Sequence, residues 1–281
     1  MDAGEFAQAL DRLAGRTPAP RDPASVLAAT ALVREGAIVS LGCPPPGPAL
    51  ARTGEGGADG PQPYALSRTT AAGQGWEAVN HRFEIDIHGA TSMTHIDALD
   101  HFAWQGRTLD GGLESLAEGI VTRAVLIDVP RMLQHPVPPG QVLGLAEVRA
   151  ALDASGTQAR PGDALCFRFG RADPRSSHAD LDADPAPGVS IECLDWLAEL
   201  GPSLVVTDNG LDANPSEVTG IPVPWHVALL GALGIPLIDM ADLERLSAAC
   251  EARGRYEFAL TVAPLPIPRS TGSPVNPLAL F

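Results

Sequence analysis

The spacing of apolar residues divides the chain into short helices and strands. Phe6, Leu10 and Leu13 fall at helical intervals and predict an amphipathic helix within residues 1–16. Thr17 to Pro23 is proline-rich and reads as a linker. Ser25 then stands where it can cap a helix over Val26 to Arg34. Gly36 to Gly42 reads as a short strand that Cys43 to Pro48 ends, and residues 52–63, rich in glycine and polar groups, read as a mobile loop. Phe83, Ile85 and Ile87 alternate with Glu84, Asp86 and His88, the period of a half-buried strand, which Gly89 breaks.

Downstream, strands are predicted over Gly119 to Val129, Ala164 to Phe169, Leu204 to Thr207, Ile235 to Met240 and Tyr256 to Val262. Helices are predicted over Leu145 to Ala154, Ile191 to Leu200 behind a Ser190 cap, His226 to Leu233 and Leu243 to Arg253. Residues 171–187 form a long polar loop, and the tail from Pro264 to Phe281 carries five prolines and little periodicity. Helices and strands both alternate and cluster, so the expected class is α/β with a mixed sheet. No internal repeat and no clean domain boundary is visible.

Composition narrows the function. The 281 residues suffice for one large domain or two modest ones, and 45% hydrophobic content fits a globular protein. A net charge of −15 opposes binding to nucleic acid or to an anionic membrane surface. All 19 basic residues are arginine, which excludes a Schiff-base lysine, a pyridoxal-phosphate enzyme and a P-loop lysine. No apolar run has the length of a membrane span, and the acidic start Met1-Asp2-Ala3-Gly4-Glu5 lacks the order of a signal peptide, so a cytoplasmic location is expected. Cys43, Cys166, Cys193 and Cys250 form no C-x-x-C pair and read as thiols of a reducing compartment.

The candidate chemistry concentrates in one stretch. Four of the seven histidines, His81, His88, His95 and His101, fall in or just before Ile87 to His101. If Thr94-His95-Ile96-Asp97 is extended, His95 and Asp97 project from one face. Imidazole plus carboxylate is the ligand set of a hydrolytic Zn²⁺, Mn²⁺ or Fe²⁺ site. His101 is close enough to act as acid or base, or as a third ligand. Three titratable groups among Ile96, Ala98, Leu99 and Phe102 are costly to bury without a purpose.

The order His88-Gly89 and then Thr94-His95-Ile96-Asp97-Ala98-Leu99-Asp100-His101-Phe102 resembles the signature of the cyclase-like metal hydrolases, the family of kynurenine formamidase and isatin hydrolase. Pro161-Gly162-Asp163, Val206-Thr207-Asp208-Asn209, Pro224-Trp225-His226, Ile238-Asp239 and Thr271-Gly272-Ser273-Pro274 resemble its longer bacterial branch. The resemblance runs from about residue 32 to the C-terminus. It implies a swivelling β/β/α fold in a single domain, residues 25–281, behind an N-terminal helix and linker at 1–24. It also implies hydrolysis of an amide (C–N) or lactone bond in a small cyclic or acyl substrate by metal-activated water. The ion would be Zn²⁺ or Mn²⁺, and the assembly a homodimer or homotetramer.

Residue by residue, the resemblance places His95, Asp97, His226 and Asp239 on the metal and His101 as general acid/base. His88 would reach the metal or line the pocket. Two positions depart from the pattern: Thr91 stands where shorter members carry a ligand histidine, and Asp239 where glutamate is usual. A lyase or ring-forming enzyme using the same site, or a non-catalytic small-molecule-binding descendant, are the competing readings. Trp104 and Trp225 are read as pocket walls, and Asp208 with Asn209 as pocket residues or a turn. Thr271-Gly272-Ser273 is either a carboxylate cradle or a C-terminal turn. His81, His135 and His178 are expected to be exposed, and Asp180, Asp182 and Asp184 to lie in a solvated loop.

Overall fold

The computed structural model describes residues 1–16, 22–43, 64–85, 87–88, 93–109, 111–170 and 185–281. The loop at 52–63, Thr91, His178, Asp180, Asp182 and Asp184 lie outside them. The helices are α1 (Ala3–Leu13), α2 (Pro23–Thr30), α3 (Val129–Leu133), α4 (Leu145–Ser155), α5 (Leu194–Leu200), α6 (Pro224–Ala228) and α7 (Leu243–Arg253). In chain order the strands are β1 (Ile38–Ser40), β2 (Tyr64–Gly73), β3 (Trp76–Ile85), β4 (His95–Asp97), β5 (Ile120–Asp128), β6 (Val142–Leu143), β7 (Ala164–Arg168), β8 (Gly188–Val189), β9 (Leu204–Thr207), β10 (Leu237–Asp239), β11 (Glu257–Val262), β12 (Gly272–Pro274) and β13 (Leu278–Leu280). Among the described residues, no helix is long and apolar enough to cross a membrane.

Nine strands form one mixed sheet in the order β1-β13-β11-β5-β7-β9-β10-β4-β12. The central run β5-β7-β9-β10 is parallel, and both flanks are antiparallel. Parallel strands are buried on both faces, so their sequences read as continuous apolar runs, as in Leu204-Val205-Val206. Side-chain alternation then divides the core in two. Val125, Ile127, Leu165, Phe167, Val205 and Leu237 pack into one cluster with α1, α4, α5 and α6. Leu126, Cys166, Val206, Ile96 and Ile238 face the other way, against α7 and the strand residues Phe258 and Leu260. Helix α1 belongs to the first cluster through Phe6, Leu10 and Leu13, and a capping box between Asp2 and Glu5 starts it. All four cysteines are buried thiols.

Four local expectations are corrected. Helix α2 is capped by Asp22, with Ser25 as the reciprocal residue of the capping box; Pro23 at the first helical position moves the start forward. The helix expected at His226 to Leu233 begins at Pro224 and passes at Leu229 into a π-helical turn. The tail contributes β12 and β13, because three-residue strands are too short to display a period of two. The segment read as a half-buried strand ends one arm of the β2–β3 hairpin. There Val79, Phe83 and Ile85 share one face and remain open to solvent, Phe83 at 65%.

This partition makes a stability prediction. Phe258 is fully buried and packs on Phe281, so Phe258→Ala should cost about 3–5 kcal/mol in denaturant unfolding. Phe83→Ser on the open arm should stay within about 0.5 kcal/mol. Equal costs would contradict the described packing.

Candidate metal centre

Strand β4 is three residues long and supplies two functional side chains. His95 and Asp97 point to one face while Ile96 enters the opposite core cluster, as the pleat requires. Strand β10 lies antiparallel beside β4 and sets Asp239 directly opposite His95. On the other edge β12 sets Gly272 opposite Asp97. A Cβ at Gly272 would lie 2.6 Å from His88 Cε1, so the glycine makes room for that ring. His226 enters from α6, with its backbone N–H and that of Trp225 capped by Asp212.

Asp97 is the centre. It is 1% exposed, and its Oδ1 lies 3.3 Å from His88 Nδ1 and 3.4 Å from His95 Nε2. Its Oδ2 lies 3.7 Å from His226 Nε2 and 4.0 Å from His101 Nε2. Asp239 Oδ2 is 3.1 Å from His226 Nε2. The Oδ1 atoms of Asp97 and Asp239 are both buried and have no hydrogen-bond partner among the described residues. His95, Asp97 and Asp239 each place a ligating atom within 4.8 Å of the others, and so do His88, Asp97 and His101. The rings of His88 and His101 stack at 3.8 Å, and Phe102 lies against both His101 and His226.

The histidine orientations follow from their partners. His95 Nδ1 is 2.9 Å from the Met93 carbonyl, which can only accept, so Nδ1 carries hydrogen and Nε2 faces the carboxylates. Burial alone would lower the His95 pKa, but Asp97 and Asp239 beside it push it up to about 9. His226 is also raised, against its own desolvation, by Asp239 and Asp212. Burial works to raise the Asp97 pKa, yet the imidazoles of His88 and His95 hold it well below the usual carboxylate range. His101 is the exception: burial, helped by its histidine neighbours and opposed by Asp97, brings it down to about 4.

These facts fit a divalent cation. Asp97 Oδ1 and Asp239 Oδ1 are buried without a hydrogen bond among the described residues, and the donor set of imidazole nitrogens and carboxylate oxygens is one that Zn²⁺ and Mn²⁺ both accept. The structure brings His88, His95, Asp97, His101, His226 and Asp239 together, although they come from four separate segments. Trp104 packs edge-on against Phe6 of α1 and against Gly231, with its indole nitrogen buried and without a hydrogen bond among the described residues. Asp208, Asn209 and Trp225 make hydrogen bonds to neighbouring segments. The Asp208 carboxylate accepts from the backbone of Phe169 and Gly170. Asn209 bonds Thr207, Leu211 and the Pro187 carbonyl. Trp225 is 1% exposed and donates to the Val189 carbonyl. Thr271 Oγ1 lies 3.3 Å from His88 Nε2, and Gly272 to Pro274 form a strand instead of a turn. Asp212 has a part that sequence reasoning missed; the only hint is its place in the polar segment after β9.

The family model described as "Putative cyclase" matches residues 51–212. Among solved structures, one described as a novel cyclase is 25% identical, with 92% of each chain covered and a TM-score of 0.77. Isatin hydrolase A from Ralstonia solanacearum is 21% identical, with 93% of this chain and 97% of that one covered and a TM-score of 0.61. An isatin hydrolase bound to the product analogue thioisatinate is 18% identical over 100% and 99% of the chains, with a TM-score of 0.63. No curated protein matches the chain.

The charge pattern predicts a bell-shaped stability profile for metal-free protein. His95, raised to about 9 from 6.5, stabilises the fold fully below pH 6.5 and loses that contribution as pH rises through 9. His101, lowered to about 4, binds its proton more readily when unfolded, so stability falls as pH drops from 6.5 toward 4. Melting temperature should therefore peak near pH 6.5 in chelator. Added Zn²⁺ or Mn²⁺ should remove the alkaline loss, because a bound ion replaces the protons. A flat alkaline limb in chelator would count against the site.

Proposed function

The chain belongs to the cyclase family, and from that premise we propose that it is a metal-dependent hydrolase that opens an amide or lactone bond in a small cyclic or acyl substrate. The observation that carries this reading is the Asp97 carboxylate: deeply buried, with one oxygen making no hydrogen bond among the described residues, and approached by four imidazoles at 3.3–4.0 Å. A buried anion in that setting is costly unless a cation joins it. His95 Nε2, Asp97, Asp239 and His226 Nε2 are the groups that would hold the ion. When bound, a divalent cation there supplies Lewis acidity, lowering the pKa of water and polarising a carbonyl.

The protein's own groups supply the proton handling. His101 is neutral near pH 7 because burial holds its pKa at about 4, so its ring nitrogen can accept a proton from the attacking water. It then returns the proton to the departing nitrogen or oxygen. Stacking on His88 fixes the plane of the His101 ring, and Phe102 closes the space between His101 and His226. Isatin is the first substrate to assay, because it gives two of the structural relatives their name. Aryl amides and lactones follow.

His95→Ala and Asp97→Ala should each lose retained metal, measured by elemental analysis of purified protein, together with activity. Full activity in either variant ends this reading. His101→Ala should keep its metal while turnover falls by about two to four powers of ten. In ¹⁸O-labelled water the label should enter the acid product. Turnover without incorporation would instead indicate a lyase or ring-forming reaction at the same site.

A further inference from the structure

We infer that Asp212 is a positioning residue: its carboxylate fixes His226 with Nδ1–H turned away from the pocket, so that Nε2 is presented to Asp97 and Asp239. This inference rests on the proposed metal seat. Asp212 Oδ2 lies 2.6 Å from His226 Nδ1, and the opposite ring nitrogen is 3.1 Å from Asp239 Oδ2 and 3.7 Å from Asp97 Oδ2. A carboxylate can only accept here, so the 2.6 Å contact assigns the hydrogen to Nδ1. Both side chains are nearly buried, at 11% exposure for His226 and 7% for Asp212, and solvent offers little competition. Histidine ligands usually donate their second N–H to such a partner, which sets the tautomer and the ring orientation.

The chain before Asp212 is built to place this carboxylate. Leu211, fully buried, adopts a left-handed backbone at φ 62°, a conformation unfavourable for leucine that persists only where its surroundings impose it. Asn209 imposes it. Asn209 Oδ1 accepts from Leu211 N and from Thr207 Oγ1, both at 2.8 Å, while its Nδ2 donates to the Pro187 carbonyl. Asp212 N closes the turn on the Gly210 carbonyl at 2.7 Å. Asp239, the other carboxylate on His226, is followed by Met240, which is also left-handed at φ 61°. A strained residue thus adjoins each carboxylate that grips the ring.

Asp212 also accepts from the backbone N–H groups of Trp225 and His226, so a purely structural capping role is the competing explanation. Asp212→Asn separates the two. Asparagine keeps its oxygen for the Trp225 N–H, and its Nδ2, standing where Oδ2 stood, turns an N–H toward His226 Nδ1. Nδ1 must then accept, and the hydrogen moves to Nε2, which can no longer ligate. The test titrates Zn²⁺ and Mn²⁺ into chelator-stripped wild type, Asp212→Asn and Asp212→Ala, alongside thermal melts and ¹⁵N-histidine NMR. Asp212→Asn should melt near the wild type yet bind either ion 10–100-fold more weakly. Asp212→Ala should also lose thermal stability. In zinc-loaded wild type, His226 should carry its hydrogen on Nδ1. Wild-type affinity in a folded Asp212→Asn, or a wild-type His226 with bare Nδ1, overturns the inference. If wild type binds neither ion, the metal reading fails on its own. The low-field proton of the Asp212–His226 hydrogen bond in the metal-free chain, present in wild type and lost in Asp212→Asn, then still decides the role of Asp212.

Discussion

The structure depends on how buried negative charge is balanced around Asp97. Three carboxylates, Asp97, Asp212 and Asp239, are at most 9% exposed and lie around the His226 ring. Anions so far from water are tolerated only beside positive charge or strong donors. In the metal-free chain the protons on His95 and His226 provide that charge, which is why both imidazoles hold them more tightly than a free histidine. A bound cation would take over the same electrostatic task. His101 stands at the edge of this balance, partly exposed and surrounded by other imidazoles, and remains neutral.

The sheet makes this concentration of charge possible without loss of the core. The pleat sends Ile96 and Ile238 into apolar packing on one side while His95, Asp97 and Asp239 gather on the other. One residue of register slip would exchange the two sets. The site also lies beside the end of the parallel run: Thr207 to Asp212 continues directly from β9, and Asp208 ties this turn to the end of β7 through Phe169 and Gly170. Strained residues at Leu211 and Met240 sit where neighbouring hydrogen bonds dictate the backbone. The precision of the site is therefore a property of the scaffold between strands as much as of the ligating residues.

Some of this was legible in the chain. The parity of His95 and Asp97, with apolar Ile96 between them, announced a two-faced strand with a polar purpose. The apolar runs at Leu165 and Val205 announced strands, and their parallel pairing came only with the structure. The alternation at Phe83 and Ile85 misled, because a period of two records that one face is apolar and is silent on whether the single chain covers it. Asp208, Asn209 and Trp225 looked like pocket residues because polar and aromatic groups at a strand end often are. Among the described residues, Asp208 bonds backbone groups at Phe169 and Gly170, Asn209 bonds Thr207, Leu211 and Pro187, and Trp225 bonds Val189.

What the sequence determined alone was a local matter: which residues could ligate, which strand faces were apolar, and which chemistries the absence of lysine removed. Only the tertiary structure decided that Asp239 stands opposite His95, that Gly272 yields space to His88, and that Asp212 lies under His226. Those placements join positions from 14 to 184 residues apart (226 less 212 is 14, and 272 less 88 is 184), across strand pairings and helix contacts. Pairing energy between distant segments leaves no periodic mark on either one, so no reading along the chain could have ranked Asp212 above its acidic neighbours.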